Sequence, residues 1–600
     1  MIGALCPISA AMLLISGLAG CLFRLFRVAR FGAIVSCIAF VICPVSPKPL
    51  KFSWFSVDGI DFVVSFRFTI VEKLICTTVL LILTCMYFAR KVELISGTVN
   101  RIFGVLSVFS FFMCVTVISQ NLFQLYVAVE AMGLISVILV GMEKESLRQS
   151  SKVYIFNGFA GLLLLIAVIS IGLQAKSFDL SEIAAFAAQH PATLYPSVIL
   201  LTISSMCKGA IMPFSYWLID AVKAHIFASI LIHAGTIVGA SIVLMAKCHF
   251  LFMHFPGLLD VTLVFGITTA LWMACCALSQ DNIKRAMACL TSSSAGLMFV
   301  ACGLQRYQLA ILYFICHAFF KALIFLSFAY LVSATSGEQN ILKMGGLSKF
   351  APKVNHLIWI TFAAAVGIPF LPGFFAKITL METIQLANLP VLEFMIVTVN
   401  VITITAMFRI IFVSMYGTSR MDDITLARVI NSSTYDTRPV WSLWLVSAFC
   451  AYCAWDIFGY GELSFSSVSG TVFSRNIFDY FLEELAEVLQ VGIALLLGLI
   501  FARYSRTKIS SKNAGPCISA IMENWKYERV CDSIQAMVTK SAGWLDIANA
   551  RMASTISRQF LRMLYMAAFS LSSKHKKLFC SYVTWSFCGI TAILLVLLFG

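Results

Sequence analysis

Charge is what this chain has least of. Only 12% of its 600 residues are Asp, Glu, Lys or Arg, against about 25% in ordinary soluble domains. With 60% apolar content and a mean hydropathy of +0.93, that deficit excludes a soluble globular protein and leaves a polytopic membrane protein. No block of basic residues accompanies the net charge of +15. The bases sit in loops between apolar runs, so no nucleic-acid partner is expected. Rossmann glycine fingerprints, flavin motifs and iron–sulfur cysteine spacings are absent as well, so any redox chemistry must lie in partner chains. The 20 cysteines are scattered through apolar segments, and Cys275-Cys276 and the pair Cys450/Cys453 lack a second ligand pair. They read as packing, with no metal site. Arg24, Arg27 and Arg30 follow the first apolar run instead of preceding it, so that run reads as a retained helix and not a signal peptide.

What is abundant is apolar sequence of spanning length, about 17–25 residues per run. Such runs fall near 2–23, 31–46, 72–89, 101–119, 121–142, 153–174, 193–216, 226–247, 258–279, 285–303, 306–333, 355–384, 388–416, 439–460, 487–504 and 578–599. The fold class is therefore an all-α polytopic membrane protein with about 16 transmembrane helices. Odd-numbered loops hold most of the bases, among them Arg90, Lys91, Lys144, Arg148, Lys152, Lys284, Lys349, Arg420 and Arg438. Even-numbered loops are nearly neutral or acidic. By the positive-inside rule the odd loops are cytoplasmic and both termini lie outside.

The segment 505–577 is too polar to span. In it Val530, Ile534, Met537, Trp544, Leu545, Ala548, Met552, Ile556, Phe560 and Met563 recur at helical spacing, with Ser541 as the one weak point. About fifty residues of helix would reach about 75 Å at 1.5 Å per residue. An amphipathic helix on the cytoplasmic side is expected, either lying on the membrane surface, whole or broken in two, or packed as a lateral helix along a row of membrane helices, with 578–600 as the final anchor.

The chemistry lies in ionisable residues inside apolar runs. Glu130, Lys208, His233, His317, Lys321 and Lys377 all do so. A lysine at membrane depth costs about 2.5–3.5 kcal/mol on insertion scales and turns toward the protein interior. Pro213 follows Lys208 by five residues, while Pro369 and Pro372 precede Lys377. Proline removes a backbone donor, and broken helices at membrane depth line polar cavities. His317 and Lys321, four apart, share one helix face. Together these residues outline a polar pathway suited to relaying protons.

A family resemblance rests on these residues and their neighbours. VEAMGL surrounds Glu130, Lys208 stands with Pro213 and Trp217-Leu218-x-Asp220, SILIHAGTIV contains His233, and NIKRAMA contains Lys284. HAFFKALIFLS, GEQNILKMGGL, GIPFLPGFFAK and AMFRIIFVSMYG around Arg409 continue the series across about residues 66–417. The chain resembles the antiporter-like proton-translocating subunits shared by respiratory complex I and the multisubunit cation/proton antiporters. The resemblance implies a core of fourteen helices, two inverted repeats and broken seventh and twelfth helices. It implies an ion pair of Glu130 with Lys208, a bridging His233, a central relay of Lys321 with His317, and Lys377 on the second broken helix. Organisation follows: 1–100 as N-terminal helices, 101–247 and 258–416 as two half-channels, 417–504 as peripheral helices, then the lateral helix and anchor. The additions after the core resemble the branch of the family that extends past it.

Several positions depart from the family pattern. Gly161 and Ile378 stand where acids are usual, Asn282 and Asn340 where Asp is usual, and His225 and Phe227 where prolines are usual. Three readings follow from the resemblance. The first is a proton-carrying subunit of NADH:quinone oxidoreductase in a bacterial inner or equivalent energy-transducing membrane. In that reading neighbouring antiporter-like subunits are partners, and NADH, FMN, Fe–S clusters and quinone are held by other chains. The second is a subunit of a Na+/H+ antiporter. The third is a diverged paralogue with a mainly structural role.

Overall fold

The computed structural model describes residues 5–23, 25–57, 60–89, 98–143, 146–431, 436–460 and 490–500. The expected lateral helix and final anchor lie outside the described residues, as does the acid-rich stretch 461–489. Helices α1 (Leu5–Phe23) and α2 (Phe26–Ile42) lead into strands β1 (Ser46–Val57) and β2 (Ile60–Phe68). Then come α3 (Ile70–Ala89), α4 (Thr98–Ile118), α5 (Leu122–Gly141), α6 (Leu147–Ala175) and the short α7 (Leu180–Gln189). A broken series follows: α8 (Pro191–Lys208), α9 (Tyr216–Ala221), α10 (Ile226–Ala234), α11 (Ile237–Lys247) and α12 (His249–Phe252). The second half holds α13 (Pro256–Ser279), α14 (Ile283–Gly303), α15 (Tyr307–Ala334), α16 (Pro352–Val366), α17 (Pro372–Leu386) and α18 (Pro390–Met415). Helices α19 (Asp423–Asn431) and α20 (Arg438–Tyr460), and a stretch of helix at Gln490–Ile500, complete it.

Among the described residues, 10 helices are long and apolar enough to cross a membrane. That is fewer than the sequence count of about sixteen. The apolar runs 193–216 and 355–384 are each interrupted, and 487–504 and 578–599 lie partly or wholly outside the described residues. The all-α expectation also needs one correction. Residues read as a loop between the second and third runs form an antiparallel β1–β2 hairpin, with Leu50 opposite Phe66 and Phe52 opposite Val64. Its cause is legible afterwards: KFSWFSV and IDFVVSFRF are rich in aromatic and β-branched residues, which favour a pleated, half-buried surface.

Helices α10, α11 and α15 form the innermost layer, since the apolar windows of 226–247 and 307–334 are wholly buried. Helix α15 packs on α10, α14, α16, α17 and α20, and α8 packs on α6. The register of α5 is set by Asn121, whose Oδ1 accepts from the amides of Phe123 (2.9 Å) and Gln124 (3.0 Å). That cap satisfies two of the orphan donors at a helix start. It also fixes how far along α5 Glu130 stands.

Candidate functional site: charged groups at two broken helices

Helix α8 stops at Lys208, and α9 begins only at Tyr216. The interruption starts at Gly209, ahead of Pro213, with Ala210 in the left-handed region at φ 55°. Three bonds moor α8 to α6: Ser197 Oγ donates to Ser170 Oγ (2.8 Å), Ser204 Oγ to Ala160 O (2.7 Å), and Cys207 Sγ to Phe156 O (3.3 Å). The Trp217 indole N–H donates to Cys207 O at 2.8 Å, covering a carbonyl that the break leaves without a helical partner. Lys208 is thus held at a carbonyl-rich helix end, where a cation is favoured.

The Lys208 side chain is 1% exposed, and its Nζ lies 2.7 Å from Glu130 Oε1 on α5. The contact is an ion pair without an aligned hydrogen bond, because neither atom has a well-directed partner among the described residues. Gly161 of α6 explains how the carboxylate fits. A Cβ there would stand 2.2 Å from Glu130 Oε2 and 2.5 Å from its Cδ. The space a side chain at 161 would take is therefore occupied by the Glu130 carboxyl group itself.

The central residues gather around α10 and α15. His317 Nε2 lies 3.3 Å from the backbone oxygen of His233. The His233 ring stacks on Phe325 at 5.3 Å and 12°, and neither of its nitrogens has a hydrogen-bond partner among the described residues. Lys321 is buried one turn beyond His317 on α15. Lys284 is read from sequence as a loop residue but is buried in the first turn of α14, where its Nζ donates to Ala224 O at 3.3 Å.

The second break separates α16 from α17. Gly367 takes φ 100° and Phe370 φ 66°, so the chain turns back before Pro372 opens α17. Lys377 donates to Val366 O, the last residue of α16, at 2.7 Å. Ile378 and Glu382 are both buried on α17.

Other departures turn out to be structural replacements. Asn282 Oδ1 caps α14 through Arg285 N (3.1 Å), and Asn340 Oδ1 accepts from Leu342 N (2.9 Å). Capping needs a side-chain oxygen and not a charge, so Asn serves where Asp is usual. A charge is supplied next door: Arg409 Nη2 pairs with Asp281 Oδ1 at 2.5 Å. His225 caps α10, its Nδ1 3.4 Å from Phe227 N.

Two buried ion contacts escaped the sequence reading. Lys152, assigned there to a loop, lies on α6 with its Nζ 3.7 Å from Asp220 Oδ2 and 5.1 Å from the Tyr216 ring centre. Glu72 Oε1 lies 3.8 Å from both Lys247 Nζ and Arg67 Nη2, and Lys247 also donates to Ser119 O at 2.8 Å. Glu72 and Lys247 are the first and last residues of apolar runs, so each reads as an interfacial flank. Only the fold, which brings α3 and α11 together, makes them a pair.

This is a helical membrane protein with charged groups inside its apolar helices, among them a lysine at each of two helix breaks. Residues 119–403, which contain Glu130, Lys208, His233, His317, Lys321 and Lys377, match the NADH:quinone oxidoreductase/Mrp antiporter transmembrane family. The chain is 31% identical over 359 residues to NADH-ubiquinone oxidoreductase chain 5 of Dugong dugon, covering 59% of this chain and 58% of that one. Against chain 5 of Dictyostelium discoideum the figures are 30% over 418 residues, 66% and 61%. Against NADH-quinone oxidoreductase subunit L of Rickettsia conorii they are 34% over 293 residues, 47% and 44%. The chain thus spans about three fifths or less of the length of these curated relatives. In fold it resembles a chain of the Mrp complex from Dietzia sp. DQ12-45-1b, with a TM-score of 0.67 and 18% identity, covering 95% of this chain and 63% of that chain. It also resembles a chain of an archaeal membrane-bound sulfane sulfur reductase, with a TM-score of 0.64 and 17% identity, covering 76% and 95%.

Proposed function

We propose that this chain is a proton-translocating membrane subunit of an NADH:quinone oxidoreductase of the complex I type, in the branch of subunit L and mitochondrial chain 5. The observation that carries the reading is the buried Lys208–Glu130 contact at a helix break. At 2.7 Å the ammonium and the carboxylate attract each other; a proton taken up by Glu130 removes that attraction and frees Lys208 to pass its own proton inward. His233, His317, Lys321 and Lys377 are the onward carriers in this reading. Pro213, Pro369 and Pro372 keep the two breaks open to them. NADH, FMN, Fe–S clusters and quinone belong to partner subunits.

The finer organisation is part of the same proposal: about sixteen spans, two inverted repeats, both termini on the non-cytoplasmic side, and a lateral helix at 505–577 that docks on neighbouring antiporter-like subunits. Burying its apolar stripe is worth roughly 25 cal/mol per Å² of area. Purification of the native complex tests the assignment. NADH- and quinone-binding chains should co-purify, and reconstituted vesicles should take up protons on NADH addition. Sodium-driven proton exchange without NADH points to the antiporter reading instead. Truncation after Arg506 should leave a chain that inserts but is lost from the complex on native gels. Full assembly of the truncated chain would exclude the lateral helix as an assembly device.

A further inference from the structure

Helical periodicity brings four residues to one point beside Lys208. On α5, Glu130 and Gly133 are three apart; on α6, Asn157 and Gly161 are four apart, so each pair shares a face. Gly161 makes room for the Glu130 carboxyl group, as described above. Gly133 leaves a second space. A Cβ placed there would be 3.7 Å from Asn157 Oδ1 and also 3.7 Å from Lys208 Nζ. The amide and the ammonium therefore border the same small gap.

Asn157 is 4% exposed. Its Nδ2 donates to Val153 O, one turn back on its own helix, at 3.0 Å. That bond fixes the orientation of the amide and turns Oδ1 outward as the acceptor. Among the described residues Oδ1 has no hydrogen-bond partner. A buried acceptor left unmade costs about 1–3 kcal/mol, so such an atom calls for a use. Lys208 supplies the complement. Its ammonium has three donors, and the ion pair it makes among the described residues, with Glu130, is met without alignment.

We propose that Asn157 Oδ1 is the second seat of the Lys208 ammonium, reached directly or through one water across the Gly133 gap, and occupied when Glu130 is protonated. Asn157 is a positioning residue: it accepts a hydrogen bond and neither gains nor loses a proton. With Glu130 charged, the ammonium stays on the carboxylate. With Glu130 neutral, the amide oxygen across the gap becomes the favourable partner, and it holds the ammonium away from the carboxyl proton just delivered. The device biases the next transfer inward. It rests on the transport reading given above.

The test uses the whole complex in vesicles, with proton uptake as readout and native gels to verify assembly. Asn157→Leu, similar in size but without an acceptor, should lower uptake by about tenfold, within the range of one positioned proton-transfer contact. Asn157→Thr, which keeps a short side-chain oxygen, should recover most of it. Gly133→Ala fits at ordinary contact distance but fills the gap, and should also slow uptake. The decisive arm is the double variant. In Glu130→Gln a permanently neutral carboxamide replaces the carboxyl group, so the residual uptake should depend on Asn157 more strongly than wild type does. A purely structural asparagine gives additive losses. Normal uptake by both Asn157→Leu and Gly133→Ala, or additive losses in the double variant, overturns the proposal. Lys208→Ala separates that failure from failure of the transport reading: normal uptake by Lys208→Ala sinks the latter, whereas a dead Lys208→Ala beside a normal Asn157→Leu sinks only the role of Asn157. If Asn157→Leu does not assemble, Gly133→Ala and the Thr variant carry the same comparison.

Discussion

The two helix breaks solve the same problem with different partners. Each brings a lysine to the carbonyl end of a helix: Lys208 is the last residue of α8, and Lys377 donates to Val366 O at the end of α16. Both use the partial negative charge at a helix C-terminus to offset an ammonium held within the fold. At the first break the Glu130 carboxylate lies 2.7 Å from the ammonium. At the second, Lys377 donates to a peptide oxygen of the preceding helix, and a buried carboxylate, Glu382, stands five residues further along its own helix. A carboxylate can take up a proton and switch its charge off, whereas a peptide oxygen holds a fixed dipole. The first break joins α5 to α8 through a switchable group, and the hold of Val366 O on Lys377 is constant.

The sharpest way to break this comparison is to remove each lysine in turn. Lys208→Ala should reduce proton uptake by about 100-fold, within the range for a positioned proton-transfer group. Lys208→Arg should fail nearly as badly, since a guanidinium does not release its proton in the accessible range. Lys377→Ala should cost less, about tenfold. Vesicle uptake assays on assembled complexes decide it. A larger loss at 377 than at 208 would mean that the switch lies at the second break.

A second test exploits the space at Gly161. If the missing acid there is a defect, Gly161→Asp should repair it. The geometry says the opposite, because a side chain at 161 meets the Glu130 carboxyl group at 2.2 Å. Overpacking costs about 1–3 kcal/mol, and two carboxylates at one point repel. Uptake should fall by about tenfold, with a lower melting temperature in detergent. A gain of activity would show that Glu130 can move aside and that this packing is not what tunes Lys208.

The second break offers a smaller effect. Glu382 is buried on α17 five residues past Lys377, and Ile378 is buried beside it. Glu382→Gln should lower uptake by about threefold, less than 1 kcal/mol, and Ile378→Asp should restore it in that background. If neither substitution changes transport, Lys377 works on the Val366 carbonyl without a carboxylate.

How much of this was legible beforehand depends on the kind of signal. A charge in the middle of an apolar run is conspicuous, so Glu130, Lys208, His233, His317, Lys321 and Lys377 could be named from sequence. Charges at the ends of runs are not, because a flanking lysine and a buried one look alike; Lys152, Lys247 and Glu72 were missed for that reason. Breaks were legible by their prolines, but their starting points were not. The first opens at Gly209 and Ala210, ahead of Pro213, and the second at Gly367, ahead of Pro369. Gly161 was the most misleading position. In sequence it reads only as a position where the resemblance implies an acid, and three-dimensional packing shows that its emptiness seats the Glu130 carboxylate.

The smallest expected effect lies outside the membrane-spanning helices, where a control ion pair should titrate without touching either break. Lys51 of β1 reaches Asp179, the N-cap of α7, at 2.7 Å, and Asp179 also accepts from Ser181 N at 3.0 Å. Burial works to raise the Asp179 carboxyl, but the bonds from Lys51 and Ser181 outweigh it and hold the group below its ordinary value. Lys51 is raised, first by its hydrogen bond to Asp179. The signs follow. The Asp179 contribution is fully present above the ordinary carboxylate range, about pH 4, and is lost as pH falls through the depressed value. The Lys51 contribution is fully present below its ordinary value of about 10.4, and is lost as pH rises through the raised one. Lys51 is 43% exposed, so screening keeps the pair within about 0–1 kcal/mol. Hydrogen exchange at the hairpin amides, corrected for intrinsic rates, should therefore show slightly weaker protection at pH 3 than at pH 6. Asp179→Asn keeps the cap but removes the charge, and should flatten that difference while leaving proton uptake intact. A change in uptake would tie the hairpin to the first break through α5, whose Leu122 N donates to Phe178 O at 2.8 Å. The two regions would then not be independent.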